Sequence, residues 1–162
     1  LPYACGEVES EVLFEDRLYV AYPAGEVTPP QVPADAIDHS RLLLLEDGHC
    51  LKDHILDACN RPELRAEAKM LGTSLHTLVQ MVDNGLGVTM LPKMAIDAGI
   101  LSNTGIQIRP LEAAHAARSI AIVWRKGSPR AKDFQMLAKV LRDEQGLTEA
   151  SAKPATLSEI NP

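Results

Sequence analysis

Residues 44–54 read LLEDGHCLKDH, which sets the thiol of Cys50 beside His49, with Asp53 and His54 three and four positions later and a second thiol, Cys59, at C-x8-C spacing. Cysteine reacts as its thiolate, and the unpaired N–H groups of a helix's first turn favour an anion. The spacing predicts a helix over residues 50–60 with Cys50 in its first turn and Asp53 and His54 on the same face. A histidine or other basic group near the sulfur favours thiolate, and Asp53 opposes it.

A thiolate that attacks a peroxide becomes a sulfenic acid, which a second thiol resolves to a disulfide. Cys59 is the candidate for that second step. On a single helix the two cysteines lie roughly 13 Å apart along the axis and on opposite faces, whereas a disulfide needs Cα atoms about 4.4–6.8 Å apart. Closing Cys50–Cys59 therefore unwinds the helix and withdraws Leu51, Ile55 and Leu56 from their packing, which is a switch of surface driven by redox state.

Two plainer readings stand beside this one. A cysteine on an apolar helix is ordinarily a small, inert hydrophobe, and ILDACN around Cys59 fits a core position. Cys50 and His54 also form an i, i+4 pair to which His39, His49, Asp53 or Cys59 could add ligands, but the spacing matches no standard zinc module. Cys5 reads as structural, and His76 and His115 as exposed helix and loop residues. The turn in NGLGVTMLP is a helix stop followed by a strand, since no helix follows to receive a phosphate.

The elements that must hold these residues come from periodicity. Glu11–Pro23 alternates as an extended segment interrupted near Asp16, and the loop after it is dense in Pro and Gly. Arg41–Leu45 is a short apolar run of the kind buried on both faces of a sheet. RAEAKM reads as an edge strand. TSLHTLVQMVDNG reads as a helix capped by Thr73, carrying Leu75, Leu78, Val79 and Val82 on one face and stopping at Gly85. Leu86–Pro92 is a buried strand, KMAIDAG a short helix, IQIRPL and SIAIVWRKG two more strands, and Arg130–Gln145 an amphipathic helix. Strands alternating with helices predict an α/β architecture with a largely parallel sheet, and ligands in such folds lie at the carboxyl ends of strands, of which the Glu46–His49 turn is one. The tail beyond residue 146 is rich in Ala, Ser, Thr and Pro without periodicity and reads as disordered.

Composition bounds the rest. The chain has 162 residues, 46% of them hydrophobic and 4% aromatic, an ordinary globular composition. With 16 Lys+Arg against 22 Asp+Glu, it has no basic surplus with which to grip a phosphate backbone. No apolar run long enough to span a bilayer is present and LPYACGEVES carries no export signal, so a cytoplasmic protein is expected. Three cysteines do not make a secreted disulfide framework.

Residues 42–59 (LLLLEDGHCLKDHILDAC), 72–92 (GTSLHTLVQMVDNGLGVTMLP) and 118–130 (RSIAIVWRKGSPR) together resemble the regulatory domain of the OxyR family, the peroxide sensors among LysR-type transcriptional regulators. The second segment is shared by LysR-type effector domains at large, and LEDGHCL with a second cysteine is specific to the family. The resemblance covers about residues 7–145 and implies an α/β fold like a periplasmic binding protein, with two lobes. Residues 1–14 and 119–145 would belong to lobe I, incomplete here, residues 15–118 would form lobe II, and residues 146–162 a disordered tail. The winged helix-turn-helix, the linker helix and the opening strands of lobe I, with the threonines that help to position peroxide, would precede this chain.

Carried over by residue, the resemblance makes Cys50 the peroxidatic cysteine, Cys59 the resolving cysteine, His49 and Asp53 their polar neighbours, and Arg118 the cation that helps to hold thiolate or peroxide. From its residue type alone Arg118 is only a charge opening a strand. Lys52 stands where the family commonly has arginine, which keeps the charge and loses the planar fork. The implied partners are hydrogen peroxide, further copies of the protein in a dimer or tetramer, a thiol reductant such as glutaredoxin or thioredoxin, and, through the intact protein, DNA and RNA polymerase; no cofactor, metal or membrane is implied. The protein would be a switch and not an enzyme. The rival expectations are a LysR-type effector domain that binds a small organic molecule between its lobes, the cysteines being incidental, and a thiol peroxidase that turns over.

Overall fold

The structure, a computed structural model, describes residues 7–47, 49–60 and 71–144. The chain divides into two compact units, Arg17–Arg118 and Leu1–Asp16 with Ser119–Pro162. The edge strand expected at residues 65–70, Cys5 and the tail at 146–162 lie outside the described residues.

In the unit of residues 17–118, the second half of β1 (Val8–Tyr22) pairs antiparallel with β5 (Thr89–Pro92) and with β6 (Gln107–Glu112). Parallel pairing is confined to β2 (Val32–Pro33) on β6, β3 (Leu44–Leu45) on β4 (Leu71–Gly72), and a single bridge between Leu42 and Val88. The expected largely parallel sheet is therefore corrected to a mixed one. An apolar run reports that a strand is buried on both faces, but its neighbours and their direction are set by distant segments. Nor is β1 interrupted at Asp16, which is itself buried and continues the strand.

Leu42–Leu45 are all buried, as the apolar run predicts. Helix α1 (Cys50–Ala58) lays Ile55 and Leu56 on this core, and α2 (Leu75–Asp83) adds Leu78, Val79 and Val82. The cap of α2 is Ser74 and not Thr73: the Ser74 hydroxyl accepts the Thr77 N–H at 3.2 Å. Gly85, at φ +75°, ends α2 in the left-handed conformation that costs glycine little, as its position predicts. Cys59 caps the C-terminus of α1, and Asn60 leaves it at φ +52°, so this helix stops before Pro62 is reached.

The short helix α3 (Lys93–Asp97) follows β5 directly. In the other unit, β7 (Ala117–Arg125) pairs with β1, and α4 (Ala131–Glu144) brings Phe134 onto Trp124 with ring centroids 5.8 Å apart. The Trp124 indole N–H donates to Glu9 at 2.7 Å.

Candidate functional site

Three strands of residues 17–118 end at one place. β3 runs into α1 through Glu46–His49, β4 runs into α2 through Thr73 and Ser74, and β5 runs into α3 at Pro92. A cavity of about 630 Å³ opens there, and residues of all three turns line it. The turn after the apolar run is thus a strand carboxyl end that faces open space, the position where α/β folds bind ligands.

His49, Cys50 and Arg118 line this cavity together. Cys50 is exposed at the first residue of α1, and His49 is the helix's N-cap residue but makes no side-chain cap, so the N–H groups of that turn face the cavity end without a hydroxyl or carboxylate over them. Arg118 arrives from the start of β7, far along the chain. The two other residues singled out lie elsewhere: Asp53 is half-buried on α1 and does not line the cavity, and Cys59 is 5% exposed, inside the core. Both Cys50 and Cys59 are free thiols. With about 1.5 Å of rise per residue they stand roughly 13 Å apart along α1, so they cannot be joined while the helix is intact.

Residues outside the expected set also bear on the site. Lys52 is 2% exposed, with its ammonium 2.7 Å from Asp47 on the turn ahead of the helix. It lies on the helical face of Ile55, Leu56 and Cys59, and that spacing was the available signal that a charged residue had entered the buried stripe. Thr73 and His76 contribute a hydroxyl and an imidazole to the cavity wall. Their chain distance from Cys50 hides this in the sequence.

His54 is half-buried, and its Nδ1 is shielded from solvent and has no hydrogen-bond partner. Burial, and after it the positive charge of Arg118, hold its pKa below the ordinary 6.5. The unfolded chain therefore binds a proton that the folded chain resists. Stability due to this group is complete above about pH 6.5 and is lost as pH falls through the lower folded value. Urea midpoints taken from pH 7.5 to pH 5 are expected to decline across that window, and His54→Gln is expected to flatten the decline.

Among the described residues no three His, Cys, Asp or Glu side chains are grouped to hold a metal ion. No described helix is long and apolar enough to cross a membrane.

Comparison with known proteins bears on the whole chain. The family described as LysR substrate binding domain matches residues 2–146. A regulator of Acinetobacter baylyi named HTH-type transcriptional regulator EstR is 39% identical over 109 residues, 67% of this chain and 36% of that protein. A probable hydrogen peroxide-inducible genes activator of Mycobacterium avium is 34% identical over 144 residues, 87% of this chain and 46% of that protein. The chain thus spans less than half the length of these relatives. The reduced regulatory domain of OxyR2 from Vibrio vulnificus superposes with a TM-score of 0.77 at 38% identity, covering 88% of this chain and 68% of that one. The α/β fold expected from the resemblance is the fold of this solved relative.

Proposed function

The chain belongs to the LysR substrate-binding domain family, and from that premise we propose that it is the redox-sensing regulatory domain of a LysR-type transcriptional activator that responds to hydrogen peroxide. The observation that carries this reading is the division of labour along α1. One thiol, Cys50, is exposed in a cavity beside His49 and Arg118, and the other, Cys59, is buried at the far end of the same helix. Relatives named as hydrogen peroxide-inducible activators and OxyR regulatory domains among the solved structures support it.

In this mechanism the Cys50 thiolate attacks one peroxide oxygen, the O–O bond breaks, and hydroxide leaves as water with the proton the thiol gave up. Arg118 and the N–H groups at the start of α1 are the cationic and dipolar groups that hold the anions of this step. The Cys59 thiol then displaces water from the Cys50 sulfenic acid to form the disulfide. The bond can close only if α1 unwinds, which releases the packing of Leu51, Ile55 and Leu56 and breaks the seat of Lys52. The protein acts as a switch, read out through its refolded surface.

We further assign residues 15–118 to lobe II of the regulatory domain and residues 1–14 and 119–145 to lobe I. In the intact regulator the refolding would reset contacts between copies and, through them, the hold on DNA and RNA polymerase, and a thiol reductant would reset the switch.

The test is chemical. Reduced protein treated with a slight excess of hydrogen peroxide, quenched with an alkylating agent and mapped by mass spectrometry should yield a Cys50–Cys59 link within minutes, with Cys5 still alkylatable. Equal and slow reaction of all three thiols would overturn the reading, and saturable stabilisation by an organic anion without peroxide sensitivity would favour an effector-binding domain instead.

A further inference from the structure

The cavity that holds Cys50 is far larger than hydrogen peroxide requires. A two-heavy-atom molecule takes roughly the share of two waters, about 60 Å³, against a cavity of about 630 Å³. That size falls within the range of about 300–1,000 Å³ typical of small-molecule sites. Its lining is also divided. Arg118, His49 and the sulfur of Cys50 gather polar chemistry, and Pro92, Ala95, Ala98 and Ile100, from α3 and its flanks, form an apolar wall. The two alanines are what leave the room, because larger side chains at these positions of α3 would fill the space. Water in such a space is displaced favourably by hydrocarbon.

We propose that this thiol takes organic hydroperoxides, ROOH, whose hydrocarbon group lies on the α3 wall while the peroxide group meets Cys50 and Arg118. The proposal rests on the peroxide-reactive reading of Cys50 and names its substrate class. The Cys50 thiolate attacks the terminal oxygen, the O–O bond breaks, and the alkoxide RO⁻ leaves. The sulfur is oxidised by two electrons to the sulfenic acid and the peroxide is reduced to the alcohol, the proton of the original thiol completing ROH. The fixed positive charge of Arg118 is suited to the alkoxide that develops. Hydrogen peroxide follows the same path without contacting the wall.

The experiment compares second-order rates of Cys50 oxidation in the reduced 162-residue chain, by timed alkylation and mass spectrometry, for cumene hydroperoxide, tert-butyl hydroperoxide and hydrogen peroxide. Burying the aryl group should make cumene hydroperoxide faster than hydrogen peroxide by about tenfold or more. Ala98→Phe, at an exposed position that tolerates bulk, should lower the ratio of the cumene to the hydrogen peroxide rate by about tenfold, and Ala95→Leu should lower it by a smaller factor. Hydrogen peroxide reacting fastest, with a ratio untouched by either variant, would overturn the substrate class and leave the sensor reading standing. Failure of every peroxide to oxidise Cys50 would overturn both.

Discussion

Cys50→Ser is expected to abolish the peroxide-driven disulfide and every adduct derived from it. A serine hydroxyl does not reach the anionic form that makes sulfur the nucleophile here. Cys59 cannot take over, because it is 5% exposed and packed in the core at the other end of α1, away from the cavity that admits peroxide. The reciprocal variant separates the two roles. In Cys59→Ser the first oxidation should proceed and stop at a sulfenic acid on Cys50, which a sulfenic-acid-selective probe would label, with α1 still closed. Loss of Cys59 thiol at the wild-type rate in Cys50→Ser protein would sink the assignment of the two cysteines.

The second large effect concerns a residue that does no chemistry. At Gly87 an added Cβ would stand 2.2 Å from the carbonyl oxygen of Arg41 and 3.0 Å from Leu43 Cγ. That carbonyl cannot yield cheaply, since it accepts the Val88 N–H at 2.9 Å, and the Arg41 side chain is held in turn by two hydrogen bonds to Glu26 of 2.9 and 2.8 Å. Gly87→Ala is therefore expected to destabilise the protein by about 3 kcal/mol, the upper end of overpacking effects. Urea denaturation would measure it, and a change below about 1 kcal/mol would contradict the close approach. The consequence reaches the site. The Leu42–Val88 bridge sets the apolar run beside β5, and the ends of these two segments, Leu45 and Pro92, are two corners of the cavity.

Much of this could be read from residue order. Burial depends on residue type repeated at a fixed period, so Leu42–Leu45 and the Leu78, Val79, Val82 stripe declared themselves, as did the stop at Gly85. The reactive helix was legible for the same reason: C-x8-C on a helix puts two thiols on opposite faces whatever surrounds them. The N-cap of α2 fell one residue later than expected, because Thr73 and Ser74 are chemically equivalent caps and only the first turn's geometry chooses between them.

Other features had no local signal. The antiparallel ladders of β1 join segments far apart in the chain, and β1's side chains look the same whichever way its neighbours run. Lys52 has an ordinary charged residue's appearance, yet it is sealed in by the packing of α1 and paired with Asp47. The approach of Arg118 to the cavity of Cys50 and to His54 follows from where β7 begins in space. The cavity itself is the space left between three strand ends, so its volume belongs to no residue, and it exists only once the elements that enclose it have packed.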